Sequence, residues 1–183
     1  ELLSRRVNFF VGAGVTGDDL VIRISSRKVL EEVLGSLGIS GDAFAATCII
    51  VDKMDKLPDD VVAAQLAEQG LGEDAVATIQ STLGVDDLDS LAAALGGDSA
   101  AVSELAALFD LIDAYGIADW VAFDASVVRG LAYYTGPVFE AHDRAGQLRA
   151  ICGGGRYDRL LSSLGGNDMP ATGFGFGDMV IME

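Results

Sequence analysis

Apolar positions change their period repeatedly along the chain. Leu2, Leu3, Val7, Phe10 and Val11 recur at helical spacing, and Gly12 and Gly14 stand where such a helix would close. From Leu20 the period shortens to two: Leu20, Ile22 and Ile24 alternate with Val21, Arg23 and Ser25, which predicts a strand. Ser26 then has the character of an N-cap, ahead of a helix whose apolar face is Val29, Leu30, Val33 and Leu34. Between Ser40 and about Tyr115 the pattern is helical in short runs, over 43–57, 59–69, 73–83, 86–95 and 98–116. Each run begins near a glycine or an acidic residue, and several end at glycine, as helix termini do. Beyond Asp119 the period of two returns. Strands are predicted over 120–126, 133–143 and 148–154, with Asp143 and Gly146 supplying the turn between the last two. Pro137 places the start of the middle strand at an edge or a bulge. A helix over 156–166, a glycine-rich strand over 170–177 and a further helix from 178 complete the pattern.

Antiparallel strands with helices to one side make an α+β fold, not a parallel nucleotide-binding one. Three parts are expected: a helix-strand-helix portion at 1–39, an all-helical insertion at 40–118, and a strand-rich portion at 119–183. Helix lengths and gaps vary too much for a repeat of fixed period. With 183 residues, half of them apolar, the chain can bury one good core or two small ones. It opens at Glu1 inside a helical pattern and stops inside an apolar run, so the expectation is a piece of a larger protein. No apolar run approaches the roughly 20 residues of a membrane span and no signal-peptide pattern opens the chain, so a soluble protein without a membrane partner is expected.

Charge sharpens the division into parts. From Ser40 to Asp119 there are 16 acidic residues and two basic ones, Lys53 and Lys56, whereas the remainder is nearly balanced. Such a segment cannot by itself offer the clustered Lys and Arg that phosphate neutralisation needs. It reads as a solvated acidic coat, and part of its acidity belongs to helix first turns, where Asp and Glu oppose the dipole.

Candidate chemistry concentrates in 123–140, 152–161 and 173–178. There Arg129 stands among apolar residues, Tyr133 and Tyr134 follow it, and eight glycines recur: Gly130, Gly136, Gly153, Gly154, Gly155, Gly173, Gly175 and Gly177. Within strands, such glycines either let a flat ligand lie on the sheet or mark bulges and tight contacts. The run CGGGRYD has neither a P-loop ending nor a dinucleotide fingerprint. Arg129 is either a surface cation or a permanently charged fork for a carboxylate or phosphate. Tyr133 and Tyr134 in an extended segment would point to opposite faces, one packed and one presenting its hydroxyl. His142, beside a turn, reads as a surface residue rather than a base. Cys48 and Cys152 suit neither a disulfide framework nor a zinc site, and with one histidine no protein-bound metal is expected. No nucleophilic triad is visible. The residues favour binding and charge stabilisation of an anionic ligand.

These segments resemble a known family. VVRGLAYYTGPVFE and CGGGRYDRL resemble the two histidine-specific motifs of histidyl-tRNA synthetases, and GFGFGD stands where class II synthetases carry motif 3. VIRISSRKVL is similar to the strand and helix after motif 2, and 40–118 lies where the family keeps its insertion domain. The resemblance implies part of a class II antiparallel sheet with flanking helices. The implied reaction is attack of the histidine carboxylate on the α-phosphate of ATP, followed by transfer of histidine to tRNA(His). Mg²⁺ would accompany ATP, and a homodimer in the full-length protein and a cytoplasmic or organellar-matrix location are implied.

Residue by residue, Arg129 matches the arginine that contacts the histidine carboxylate and the α-phosphate, the implied catalytic group. Tyr134 and Tyr157 match tyrosines of the histidine pocket, and Tyr133 belongs to the same wall. Gly153 and Gly154 would floor the histidine site, while Gly155, Gly173, Gly175 and Gly177 would lie toward ATP. Two departures stand out. Ala132 replaces the Asp of RGLDYY, and Met179 and Val180 stand where motif 3 has Glu-Arg. Motifs 1 and 2 have no counterpart here, so the isolated chain is expected to be inactive. The alternative is a synthetase-like regulator that senses histidine or tRNA, such as the subunit governing ATP phosphoribosyltransferase or a kinase sensor domain. A purely structural helical module would leave the two histidine-specific motifs without a reason.

Overall fold

The computed structural model describes residues 1–54, 57–177 and 180. It opens with α1 (Leu2–Gly12), β1 (Leu20–Ser26) and α2 (Arg27–Ser36), as the periods predict. Ser26 caps α2 by accepting from the Lys28 N–H, and Val29, Leu30, Val33 and Leu34 are all buried. Five helices follow: α3 (Gly41–Val51), α4 (Asp59–Glu68), α5 (Glu73–Leu83), α6 (Leu88–Leu95) and α7 (Ala100–Ala114). Their ends show why the segment is acidic. Asp87 accepts the Ser90 N–H at 2.8 Å to cap α6, while Asp42, Glu73, Asp74 and Asp89 occupy first turns.

A 3-10 turn at Ala118–Trp120 leads into β2 (Val121–Phe123), and then come β3 (Pro137–Asp143), β4 (Cys152–Arg156), α8 (Leu160–Ser163) and β5 (Thr172–Phe176). The strands form one sheet in the order β2-β1-β3-β4-β5. The α+β expectation holds, with a refinement: β1 and β2 are parallel, and the other pairs antiparallel. The helical excursion between them is the long crossover that returns the chain in the same direction.

Several boundaries differ from the expectation. Helix α3 stops at Val51 rather than continuing toward 57, and the helix expected over 156–166 shrinks to the four residues of α8. Val11 is exposed rather than on the buried face of α1, where Arg6 lies instead. Residues 133–136 are not strand. Pro137 begins β3 in the middle of the sheet, between β1 and β4, and not at its edge. A strand's first residue is another position where proline is tolerated. The helix predicted from 178 falls outside the described residues except for Val180, which is helical.

Strand alternation and register give the sheet two unlike faces. One carries Leu20, Ile22, Ile24, Phe139, Ala141, Cys152, Phe174 and Phe176. It packs on α1, where Phe10 stacks 6.3 Å from Phe176 and the Arg6 guanidinium covers the Phe174 ring. The core is continuous from this face through Leu30 and Leu34 of α2 into Cys48, Leu66, Ile79, Leu91 and Leu105 of the helical segment. Each fully buried Leu or Ile there contributes about 1.5–3 kcal/mol. The helices between β1 and β2 therefore share the core of the sheet. The other face carries Val21, Arg23, Ser25, Val138, Glu140, His142, Gly153, Gly155, Gly173 and Gly175.

Candidate functional site

The segment from Asp124 to Gly136 has no regular secondary structure and crosses this second face. Asp124 starts it with a local turn, its Oδ1 accepting the Ser126 N–H at 3.0 Å while Oδ2 accepts from Arg23 at 3.2 Å. Arg129 follows with φ 54°, a left-handed conformation that non-glycine residues rarely adopt. Its guanidinium lies over Gly153, where a Cβ would overlap it. It pairs with Glu140 Oε1, and Glu140 Oε2 lies 3.1 Å from His142 Nε2.

Burial and pairing oppose each other at this cluster. Burial alone would lower the Arg129 pKa, but the hydrogen bond and charge of Glu140, with Tyr134 behind them, raise it overall. Burial likewise pushes the Glu140 carboxyl up, and His142 and Arg129 together pull it below the ordinary 4.5. Glu140 is thus an ionised carboxylate with a permanent cation against it.

Beside the charged cluster stands an aromatic one. The Tyr133 and Tyr134 ring centroids are 4.6 Å apart, and Tyr157 packs edge-on at 5.5 Å from Tyr133 and 6.3 Å from Tyr134. Val127 and Val138 complete the cluster. The two adjacent tyrosines do not point to opposite faces, because the chain turns at Leu131–Tyr134 instead of extending. The Tyr134 ring lies against Gly155 and the Tyr157 hydroxyl against Gly173, positions where a Cβ would collide. Burial, and then a hydrogen bond with Tyr133, push the Tyr134 phenol up to about 12.

A cavity of about 600 Å³ opens on the charged cluster, lined among others by Arg23, Asp52, Asp124, Arg129, Glu140, His142, Arg149, Gly177 and Val180. The three tyrosines stand next to it and not in its wall. Of the remaining glycines, Gly175 has open space beside it, whereas Gly154 presents its α-carbon to the opposite, α1-facing side of the sheet under Phe174. Ala132 is exposed. His142 lines the cavity, so the reading of it as a surface residue is corrected. Glu140, Asp52 and Asp124 were not singled out in advance. For Glu140 and His142 the signal was present: they alternate with Val138 on β3 and so share a face. Cys48 and Cys152 are both buried free thiols, and burial pushes Cys48 up to about 11. Among the described residues no cluster of three or more His, Cys, Asp or Glu could hold a metal ion.

Sequence comparison decides which family this geometry belongs to. A family profile described as Histidyl-tRNA synthetase matches residues 2–177. The chain belongs to the histidyl-tRNA synthetase family. A histidine–tRNA ligase of Arabidopsis thaliana, named chloroplastic/mitochondrial, is 52% identical over 183 residues, covering 100% of this chain and 38% of that protein. One from Opitutus terrae is 40% identical over 189 residues, covering 99% of this chain and 43% of that protein. The crystal structure of histidyl-tRNA synthetase from Nostoc sp. PCC 7120 matches with a TM-score of 0.81 at 28% identity, over 98% of this chain and 45% of that one. A structure described as an ATP phosphoribosyltransferase regulatory subunit/histidyl-tRNA synthetase from Bacillus halodurans C matches at TM-score 0.77 over 98% of this chain and 47% of that one. At 22% identity it speaks to the fold alone. The chain spans less than half the length of these relatives. In this chain Arg129, Tyr134, Gly153 and Tyr157 all fall on one sheet face.

Proposed function

We propose that this chain carries part of the histidine-activating centre of a histidine–tRNA ligase. The observation that carries the reading is the placement of Arg129: a permanent cation, held by Glu140, at the wall of the cavity and over Gly153. A guanidinium fixed there meets the charge that grows on the α-phosphate as the histidine carboxylate attacks it. Its fork also suits the carboxylate itself. Histidyl-adenylate and pyrophosphate result, and the histidyl group then passes to a hydroxyl at the 3′ end of tRNA(His) with release of AMP. Positioning and electrostatics supply most of the acceleration. Tyr133, Tyr134 and Tyr157 wall the histidine side chain, with Gly153 in the floor, whereas Gly154 faces α1 and takes no part in it. ATP, arriving with Mg²⁺ as the substrate complex, lies toward Gly175, which has open space beside it, and Gly177 in the cavity wall, while Gly155 and Gly173 are covered by Tyr134 and Tyr157. Val180 at the cavity wall offers no charge to the γ-phosphate, so that end of ATP is gripped by other groups.

Residues 40–118 are the insertion domain of this reading, set between catalytic portions at 1–39 and 119–183. Their acidity repels tRNA at long range, so any contact there uses a local basic point such as Lys53. Lys56 lies outside the described residues. At the relatives' full length the protein forms a homodimer and works in the cytoplasm or an organelle matrix. Among the described residues no helix is long and apolar enough to cross a membrane.

The test is histidine-dependent exchange of pyrophosphate into ATP by the protein at the relatives' full length, which is expected to be present, and by the isolated 183-residue chain, in which it is expected to be absent. Full-length protein that binds histidine but shows no exchange would instead make it a sensing regulator.

A further inference from the structure

The peptide that joins Arg129 to Gly130 is gripped at both ends by side chains from outside its own segment. Its carbonyl oxygen, on Arg129, accepts from Arg27 Nη1 at 3.4 Å. Its N–H, on Gly130, donates to Asp52 Oδ1 at 2.8 Å. Arg27 is the first residue of α2, buried, with its guanidinium 5.0 Å over the ring of Phe44 in α3. Asp52 is the C-cap of α3. Both ends of the grip therefore lead to α3. The absence of a side chain at Gly130 permits it: a Cβ there would come 3.0 Å from Asp52 Oδ2 and 3.2 Å from its Cγ.

This peptide lies immediately after the left-handed Arg129. An arginine released to the right-handed region would turn the peptide and break both hydrogen bonds. Holding the peptide thus holds the backbone conformation that aims the guanidinium at Gly153 and Glu140. We propose that Asp52 is a positioning residue for Arg129, acting through the Gly130 N–H, and that the end of α3 is where the helical segment sets the geometry of the site. The contribution to the reaction rests on the function proposed above, whereas the grip itself does not.

Two measurements separate these claims. In the 183-residue chain, the Gly130 amide should exchange slowly with solvent by NMR in the parent and in Asp52→Asn, which keeps an acceptor oxygen. In Asp52→Ala it should exchange at least about tenfold faster at an unchanged melting temperature, as expected when a local hydrogen bond is removed. An amide equally protected in Asp52→Ala would overturn the proposal. At full length, Asp52→Ala should lower kcat for pyrophosphate exchange about 10- to 100-fold, the cost of a misplaced catalytic group, with KM for histidine changed less than about threefold. Asp52→Asn should restore most of the rate. Gly130→Ala, which pushes a methyl against the Asp52 carboxylate, should lose less in an Asp52→Ala background, and strictly additive losses would count against the grip. If Asp52→Ala exchanges pyrophosphate at the parental rate, the positioning role falls and the function stands. If no version exchanges pyrophosphate, the function falls and the Gly130 amide still decides the grip.

Discussion

The two halves of the candidate site share one sheet face and one motif, yet they are built by opposite means. At Gly153 the missing side chain makes room for the tip of a flexible, charged arginine beside an open cavity. Two residues later, at Gly155, it makes room for the Tyr134 ring and the Pro137 carbonyl in a closed aromatic cluster. Two glycines of CGGGRYD thus answer different demands: one keeps a charge poised, the other lets a wall pack. The charged half should therefore be sensitive in rate and tolerant in stability, and the aromatic half the reverse.

The strongest test of that division is Arg129→Ala in the full-length protein. If the guanidinium meets charge that exists only as the adenylate forms, kcat for histidine-dependent pyrophosphate exchange should fall by about 10³-fold, the upper end seen when an oxyanion donor is removed. Histidine affinity should change far less, because a transition-state contact is spent on kcat. Equal losses in kcat and affinity would show that Arg129 only holds substrate, and the two halves would then differ less than their construction implies.

A smaller but cleaner contrast comes from adding one methyl group to each half. Gly155→Ala would place a Cβ 2.7 Å from the Pro137 carbonyl oxygen and 2.8 Å from the Tyr134 ring, neither of which can yield easily. Overpacking of this kind should cost about 1–3 kcal/mol in chemical denaturation. Gly153→Ala meets chiefly the end of Arg129, which can swing away. It should lose exchange activity and unfold with a smaller cost than Gly155→Ala, set by the broken Arg129–Glu140 pair. A Gly153→Ala protein as unstable as Gly155→Ala would mean that Arg129 is as rigidly packed as the tyrosines.

How much of this was legible beforehand follows from the range of the forces involved. β1 and α2 were read nearly to the residue because their signals are local: alternation at Leu20, Ile22 and Ile24, a cap at Ser26, and a helical stripe at Val29, Leu30, Val33 and Leu34. The helical segment was legible for the same reason. Tyr133 and Tyr134 were read as strand because aromatic runs favour strands. The turn there is stabilised by contacts with Tyr157 and Gly155, more than 20 residues away. Arg129 was visible through its motif, but its left-handed backbone was not, since no glycine marks the position. For Glu140 the alternation with Val138 marks the face, but its role requires knowing that Gly153 stands opposite it, which is a matter of register. The parallel pairing of β2 depends on the whole path of the chain between Ser26 and Val121.

The least drastic probe of the comparison is pH. Arg129 and His142 hold the Glu140 pKa below its ordinary 4.5 in the folded state, against the effect of burial. A depressed carboxylate contributes stability that is fully present above the unfolded pKa, near 4.5, and is lost as pH falls through the lower folded value. Glu140→Gln removes that term. Its stability deficit relative to the parent should be constant above about pH 5.5, where both states of the parent carry the charge, and should shrink on acidification as the parent loses its advantage. Tyr134 in the aromatic half titrates far to the alkaline side, so Tyr134→Phe should show no such narrowing in acid. Denaturant melts of the three proteins between pH 3 and 7 decide the matter. A Glu140→Gln deficit that stays flat through the acid range would mean that Arg129 does not depress the Glu140 carboxyl, and the charged half would then owe its geometry to the grip on its backbone.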